Sequence, residues 1–299
     1  MDFKSIMCAL LVVTVWGVNF SVIKLGLEEL PPILFSGLRF LIVALPAIFF
    51  IPFVKTPVWH VLGVGLFLGV IKFGLLFVAM EKDASAGIAS LILQAQVVFT
   101  IVLSAVVLKE QASRFQIAGA VIACSGFGLF FLSETGSVTL YGMVLILCAA
   151  LSWAVSNLIM KQLKQVNLLH FMVWVSAVAP LPLFGLSYIL ESDTPVTLIQ
   201  NTSAQSWLAL LYVGPVSTLL AFALWGWLLG RHRAAAVTPF ALLIPLVGMI
   251  GASLILGEQI SLFEMIGGAV ILSGLTFSVL GERLCRAVLG RAGLKQKAS

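Results

Sequence analysis

AGIASLILQAQVVFTIVLSAVVLKEQASRFQIAGAVIACSG, residues 86–126, has a diverged second copy in AAAVTPFALLIPLVGMIGASLILGEQISLFEMIGGAVILSG, residues 234–274. Laid on one another without a gap, they match Leu108 with Leu256, Glu110 with Glu258, Gln111 with Gln259, Ser113 with Ser261 and Phe115 with Phe263. Gly119, Ser125 and Gly126 match Gly267, Ser273 and Gly274. Each copy is a pair of apolar runs of membrane-spanning length joined by a short polar turn, so a helix pair has been duplicated. Trp16 and Lys24 stand at the same separation as Trp153 and Lys161, which carries the duplication back to the start of each half.

The rest of the chain has the same apolar character. With 61% hydrophobic and 10% charged residues among 299, a soluble domain is excluded and the solvent of the fold is lipid. Charges are confined to breaks between runs of about 20 apolar residues. Those breaks predict ten spans, near residues 6–27, 31–53, 58–80, 85–108, 115–132, 140–162, 168–190, 205–229, 234–256 and 262–281. The first run is too long for a signal-peptide core and no small-residue cleavage site follows it, so it is expected to stay as a helix. Cys8, Cys124, Cys148 and Cys285 form no CxxC pair and read as small apolar residues, not as metal ligands or disulfides. No cofactor is expected.

The net charge of +5 would suggest nucleic acid in a soluble chain, but here it follows from loop sorting. With the N-terminus cytoplasmic, the inner segments carry Lys4, Lys55, Lys109, Arg114, Lys161, Lys164, Arg231, Arg233, Arg283, Arg286, Arg291, Lys295 and Lys297. The outer loops and their flanks keep only Lys24 and Lys82, and hold Glu28, Glu29, Glu81, Asp83, Glu134, Glu191, Asp193 and Glu258. This bias predicts a multi-pass protein of the inner (plasma) membrane with both termini in the cytoplasm and no nucleic-acid partner.

The duplicated pairs sit in five-helix halves, and an odd number of crossings turns the second copy over. The charges agree: Lys109 and Arg114 after span four become Gly257 and Leu262 after span nine, and Glu81 and Asp83 become Arg231 and Arg233. The expected fold is therefore an all-α membrane protein with two inverted five-helix repeats, residues 1–135 and 136–285, around a central cavity, and a basic cytoplasmic tail, 286–299. Two similar bundles can rock about a midplane site, which favours a carrier over a channel.

Trp16-Gly17-Val18-Asn19-Phe20 with Lys24, and Leu38-Arg39-Phe40, closely resemble the start of EamA-type members of the drug/metabolite transporter superfamily. Leu93-Gln94-Ala95-Gln96, Ser152-Trp153-Ala154 with Asn157, and Trp225-Gly226-Trp227-Leu228-Leu229-Gly230-Arg231, with Pro239 and Pro245, resemble its subgroup that exports O-acetylserine, cysteine and related metabolites. The resemblance implies a ten-helix exporter with a central cavity, driven by a proton gradient or by the substrate gradient alone. Lys72 departs from it, standing where a neutral polar residue such as Gln is expected.

Arg39 and Lys72 each lie about eight residues from the outer end of a span, roughly 12 Å deep. A cation at such depth needs an acid, a water-filled cavity or a ligand, and no Asp or Glu lies deep in any span; Glu264 comes closest. At least one of the two is expected to hold a substrate carboxylate, the alternative being snorkelling towards Glu28, Glu29 or Glu81. Trp16, Asn19, Phe20 and Lys24 share one arc of a helix, and Trp153, Asn157 and Lys161 repeat it. An aromatic lid with an amide suits a zwitterion, whereas helix-to-helix hydrogen bonding is the structural alternative. Lys24 and Lys161 are expected to snorkel to opposite interfaces. Gln94 and Gln96 are about 200° apart on a helix, so only one can face a narrow cavity, and Gln96 has the longer polar stripe, with Thr100 and Ser104. Pro239 and Pro245 should loosen span nine, and Trp225 and Trp227 read as an interfacial belt.

The function expected is export of small amino acids or their metabolites by alternating access, with a small substrate carrying a carboxylate and the bilayer as partners. An importer or exchanger of other organic anions is the rival. An intramembrane enzyme would need HExxH, GxSxG or paired aspartates in the spans, and the sequence has none. Oligomeric state is not legible.

Overall fold

The structure, a computed structural model, describes residues 1–132, 136–163, 166–192 and 194–296. Glu134, Lys164, Asp193 and Lys297, counted in the charge pattern above, lie outside the described residues. Among the described residues there is no strand, only an isolated antiparallel bridge between Ala84 and Val138. The long helices in chain order are α1 (Phe3–Gly26), α2 (Pro32–Ala47), α3 (Val58–Lys82), α4 (Ala86–Val107), α5 (Arg114–Gly128), α6 (Leu140–Met160), α7 (Leu168–Leu190), α8 (Ala204–Arg231), α9 (Thr238–Leu256) and α10 (Leu262–Gln296), with short helical turns at Pro195–Gln200 and Ala234–Val237. Eight of them, all but α2 and α5, are long and apolar enough to cross a membrane.

Polar turn residues set where these helices begin. The side chains of Ser85, Ser113, Thr139, Asn167 and Ser203 each accept from the amide three residues on, satisfying a donor the helix itself leaves free. Prolines shorten α2 against the expected span 31–53, with Pro46 in its last turn and Pro52 beyond it. Large apolar side chains such as Phe50, Leu181 and Leu254 are exposed on the outside of the bundle, as lipid-facing residues are.

Inter-helix contacts show which helix ends lie together. His232 Nε2, after α8, lies 2.7 Å from Ser5 Oγ at the start of α1, and the Phe115 ring opening α5 packs on Phe277 of α10, centroids 5.5 Å apart. This end is the terminal face. At the far face Glu191 accepts from the amides of Ile33 and Leu34, Glu29 from Ser203, and Glu258 from Ala86 and Gly87. In each case a carboxylate from one turn caps the N-terminus of a distant helix, where the helix dipole favours negative charge.

The turns α4–α5 and α9–α10 are built alike. Glu110 N bonds Ser104 O at 3.2 Å and Glu258 N bonds Ala252 O at 3.3 Å. Just before them Lys109 and Gly257 both adopt left-handed backbone, φ 53° and 68°. Just after them Ser113 and Gln116, and again Ser261 and Glu264, exchange side-chain and backbone bonds. Helices α5 and α10 then cross so closely that a Cβ on Gly119 would stand 2.4 Å from the Gly274 carbonyl oxygen, so only small residues fit there.

Candidate functional site

Two helices depart from α geometry in matching places. Residues Gly65–Lys72 of α3 and Tyr212–Leu220 of α8 are π-helical. In the register that lays Ala86 on Ala234, Gly65 and Lys72 fall on Val213 and Leu220. Such segments release backbone carbonyls and recur at functional sites. Here the carbonyls are taken by other helices: Ser152 Oγ of α6 donates to Phe67 O at 2.7 Å, and Trp16 Nε1 of α1 donates to Ser217 O at 2.9 Å.

Lys72 ends the first π segment and is 4% exposed. Its Nζ lies 3.2 Å from the Phe73 ring centroid and 4.7 Å from that of Trp153. Arg39, 3% exposed, reaches the same ring from α2, with Cζ 4.0 Å from the Phe73 centroid and 4.6 Å from that of Phe40. Its Nη2 donates to Thr218 Oγ1 in the second π segment at 3.1 Å. Its Nε and Nη1 are buried without a hydrogen-bond partner. Neither cation is bonded to a carboxylate among the described residues. Cation–π contact offsets part of the desolvation, about 0.5–2 kcal/mol per contact, but leaves the donors unsatisfied.

One turn along α6 from Trp153, Asn157 Nδ2 donates to Gln96 Oε1 at 2.8 Å and to Thr100 Oγ1 at 3.1 Å. Gln96 and Asn157 therefore bond α4 to α6 in this conformation. Gln94 sits at the break inside α4, buried, with no side-chain hydrogen bond among the described residues. On α1, Trp16 packs on Phe222 and Trp225 with centroids 5.2 and 5.3 Å away, and Asn19 is buried with Oδ1 unbonded.

Of the predicted site residues, Arg39 and Lys72 meet at Phe73 with the Trp153 ring against Lys72, Gln96 and Asn157 form an amide pair one turn along α6, and Trp16 joins α8. Trp225 is not a belt residue: it is 8% exposed because it covers Trp16, whereas Trp227 is 45% exposed. Lys24 reaches the far-face turn after α3, where it donates to the carbonyls of Met80, Glu81 and Ala84. Phe73 and Thr218 were missed, although a threonine in an apolar run and a ring next to Lys72 were both legible signals.

The expected loosening of span nine takes a definite form, since Thr238–Leu243 is a 3-10 segment before the helix Ile244–Leu256. At the far face α4 and α9 touch, where a Cβ on Gly87 would lie 3.3 Å from Met249 Cα and one on Gly248 2.6 Å from Ser90 Oγ. Towards the terminal face they part. Ala95–Val107 packs on α6 and α5, while Thr238–Leu243 packs on α1 and α10. A cavity of about 650 Å³ also opens at the terminal face, lined by Met160, Asn167, Phe171, Phe222 and Trp227. None of the eight predicted site residues lines it; Phe222, in its wall, packs against the Trp16 ring.

The sequence matches the EamA-like transporter family over residues 3–132 and 140–280. It is 40% identical over 293 residues to a Salmonella typhimurium protein named "Probable amino-acid metabolite efflux pump", covering 96% of this chain and 98% of that one. An Escherichia coli protein of the same name is 38% identical over 297 residues, with 96% and 99% covered. A crystal structure with 19% identity superimposes at a TM-score of 0.59 over 95% of this chain and 99% of that one, a likeness of fold.

Proposed function

Because the chain belongs to the EamA-like transporter family, we propose that it exports small amino-acid metabolites carrying a carboxylate across the inner membrane by alternating access. In this reading ten segments cross the bilayer as two inverted five-helix repeats with both termini cytoplasmic, so the terminal face is the cytoplasmic one. The matching π segments, the like-built turns and the alternating helix ends support it.

The observation that carries the reading is the pair of buried cations sharing Phe73 with no carboxylate bonded to either among the described residues. A substrate carboxylate supplies what they lack. It accepts from Lys72 Nζ and from one of the free Arg39 donors, Nε or Nη1, while Trp153 covers the apolar part. The amide pair Gln96–Asn157 opens to bond the remaining polar groups. Access comes from the terminal face, where α4 and α9 part, and closure of that face with opening of the other completes a cycle. The names of the similar efflux pumps support amino-acid metabolites as the substrate class.

Counterflow tests this directly. Proteoliposomes holding the purified protein and unlabelled cysteine, O-acetylserine or an aromatic amino acid should accumulate the labelled compound, with and without a pH gradient distinguishing proton coupling from facilitated export. Absence of counterflow for every amino-acid metabolite tried would refute the reading. Cells overproducing the protein should tolerate toxic amino-acid analogues; sensitisation with raised intracellular accumulation would make it an importer.

A further inference from the structure

At the far face the turn between α3 and α4 is held at both ends. Lys24 of α1 donates to the carbonyls of Met80 and Glu81 in the last turn of α3 and of Ala84 just beyond it. Glu258, from the turn after α9, accepts from the first amides of α4, Ala86 N at 2.7 Å and Gly87 N at 3.0 Å. A cation on free carbonyls and an anion on free amides are the pairings that helix ends favour. Lys24 and Glu258 thus grip one turn and join the two halves of the chain.

Lys161 and Glu110 are their repeat mates, and Glu110 stands on the same backbone turn as Glu258. Yet these two grip nothing: Lys161 Nζ pairs with Glu110 Oε2 at 2.6 Å and touches Ser104 Oγ at 3.1 Å, with side chains 43% and 51% exposed. The turn they would hold by symmetry, between α8 and α9, lies at the terminal face where α4 and α9 part. One sequence device therefore occurs twice, in two arrangements, engaged where helices meet and paired with itself where they separate.

We propose that Lys24–Glu258 and Lys161–Glu110 are reciprocal clasps of the transport cycle. Each closes its own face by parting and gripping one turn from both sides, the lysine on the carbonyls of a turn in its own repeat and the glutamate on the amides of that turn from the other repeat. This rests on the alternating-access reading and adds the residues that switch it. In the opposite state Glu258 pairs with Lys24, while Lys161 and Glu110 take the turn after α8. Arg231 and Arg233 of that turn add attraction for Glu110, as Glu81 and Asp83 do for Lys24 at the far face.

The sign of each mutant follows from which arrangement is stronger. An exposed ion pair contributes little, whereas charge-assisted bonds to several backbone groups in a half-buried turn contribute more. Removing a clasp residue therefore opens the face it closes. The test uses the full chain with Cys8, Cys124, Cys148 and Cys285 replaced, and a reporter cysteine at Ser21, buried beside Gly251 between α1 and α9, or at Ala223, on the terminal-face cavity. Glu258→Ala and Lys24→Met should each raise the labelling rate at position 21 about tenfold and slow it at 223. Lys161→Met and Glu110→Ala should lower labelling at 21. Glu258→Gln, which keeps one acceptor, should lie between wild type and Glu258→Ala, and serves if the alanine variant does not fold. Faster labelling at 21 in Lys161→Met would make the exposed pair a lock of this state and overturn the proposal, as would an unchanged rate in folded Glu258→Ala and Glu258→Gln. Labelling needs no substrate, so a wrong substrate reading shows as absent counterflow with this pattern intact.

Discussion

Replacing Lys72 by methionine removes the ammonium and keeps the length of the side chain. In the unliganded protein the change costs two ring contacts, at 3.2 and 4.7 Å, worth about 0.5–2 kcal/mol each. It also removes the cost of holding an ammonium at depth, a few kcal/mol. The two nearly cancel, so Lys72→Met should reach the membrane at normal abundance and melt within a few degrees of wild type. Transport should respond differently. A charge-assisted bond to a substrate carboxylate is worth about 1.5–3 kcal/mol, so kcat/KM should fall about ten- to 150-fold. Lys72→Gln keeps a donor and loses the charge, and should retain roughly half of that free energy. Counterflow of free acids and their methyl esters, at sub-saturating concentration, separates the contributions, because esters should distinguish wild type from Lys72→Met by only a few fold. Normal transport of free acids by Lys72→Met would refute the carboxylate assignment and leave the lysine a packing residue of Phe73 and Trp153.

Cysteines placed at Ser137 and Ser192 should react with an impermeant thiol reagent in whole cells and one at Ser113 should not; labelling at 113 from outside would break the inverted topology. Gly257→Ala should lower the melting temperature by the equivalent of about 1 kcal/mol, since φ is 68° and nothing crowds a Cβ there, whereas Lys109→Gly should raise it by a similar amount. Glu29 accepts from Ser203 N, which with Ser206 Oγ holds its carboxyl below the ordinary 4.5. A depressed folded-state value means stability that is present above pH 4.5 and lost as pH falls through the lower value. Thermal unfolding between pH 3 and 6 should therefore show an acid-side loss in wild type that Glu29→Gln lacks.

What the sequence disclosed and what it hid divide along physical lines. Apolar run length and loop charge are set by the bilayer and need no tertiary knowledge, so the helices were legible to within a few residues, except where Pro46 cut α2 short and where α10 runs on past the expected 281 to Gln296. The burial of Arg39 and Lys72 was legible for the same reason. Their meeting at Phe73 was not, because it depends on the π segments. Adding a residue to a helical turn rotates everything after it, and neither Gly65–Lys72 nor Tyr212–Leu220 differs in composition from an ordinary apolar helix apart from Pro215. Ideal helical wheels likewise put Trp16 and Trp153 in equivalent roles. The structure gives Trp16 to the Ser217 carbonyl and Trp153 to Lys72, since Trp225 and Phe222 occupy the space beside the first and Phe73 the space beside the second.

On the proposed cycle the roles of Lys24 and Lys161 separate for a reason no linear pattern contains, because the two faces of the protein are in different arrangements at once. In that cycle substrate loads from the terminal face, the one whose clasp is released in this conformation. A bias of about 1.4 kcal/mol between the two states already sets a ratio of ten to one. The substrate must then bind the opposite state more tightly to drive the change, because a ligand with equal affinity for both shifts nothing. The unsatisfied nitrogens of Arg39 are a source of that difference. They lie between α2, α3 and the π segment of α8, so a carboxylate that draws Arg39 and Lys72 together pulls on the helix whose far end is the turn the terminal-face clasp would seize.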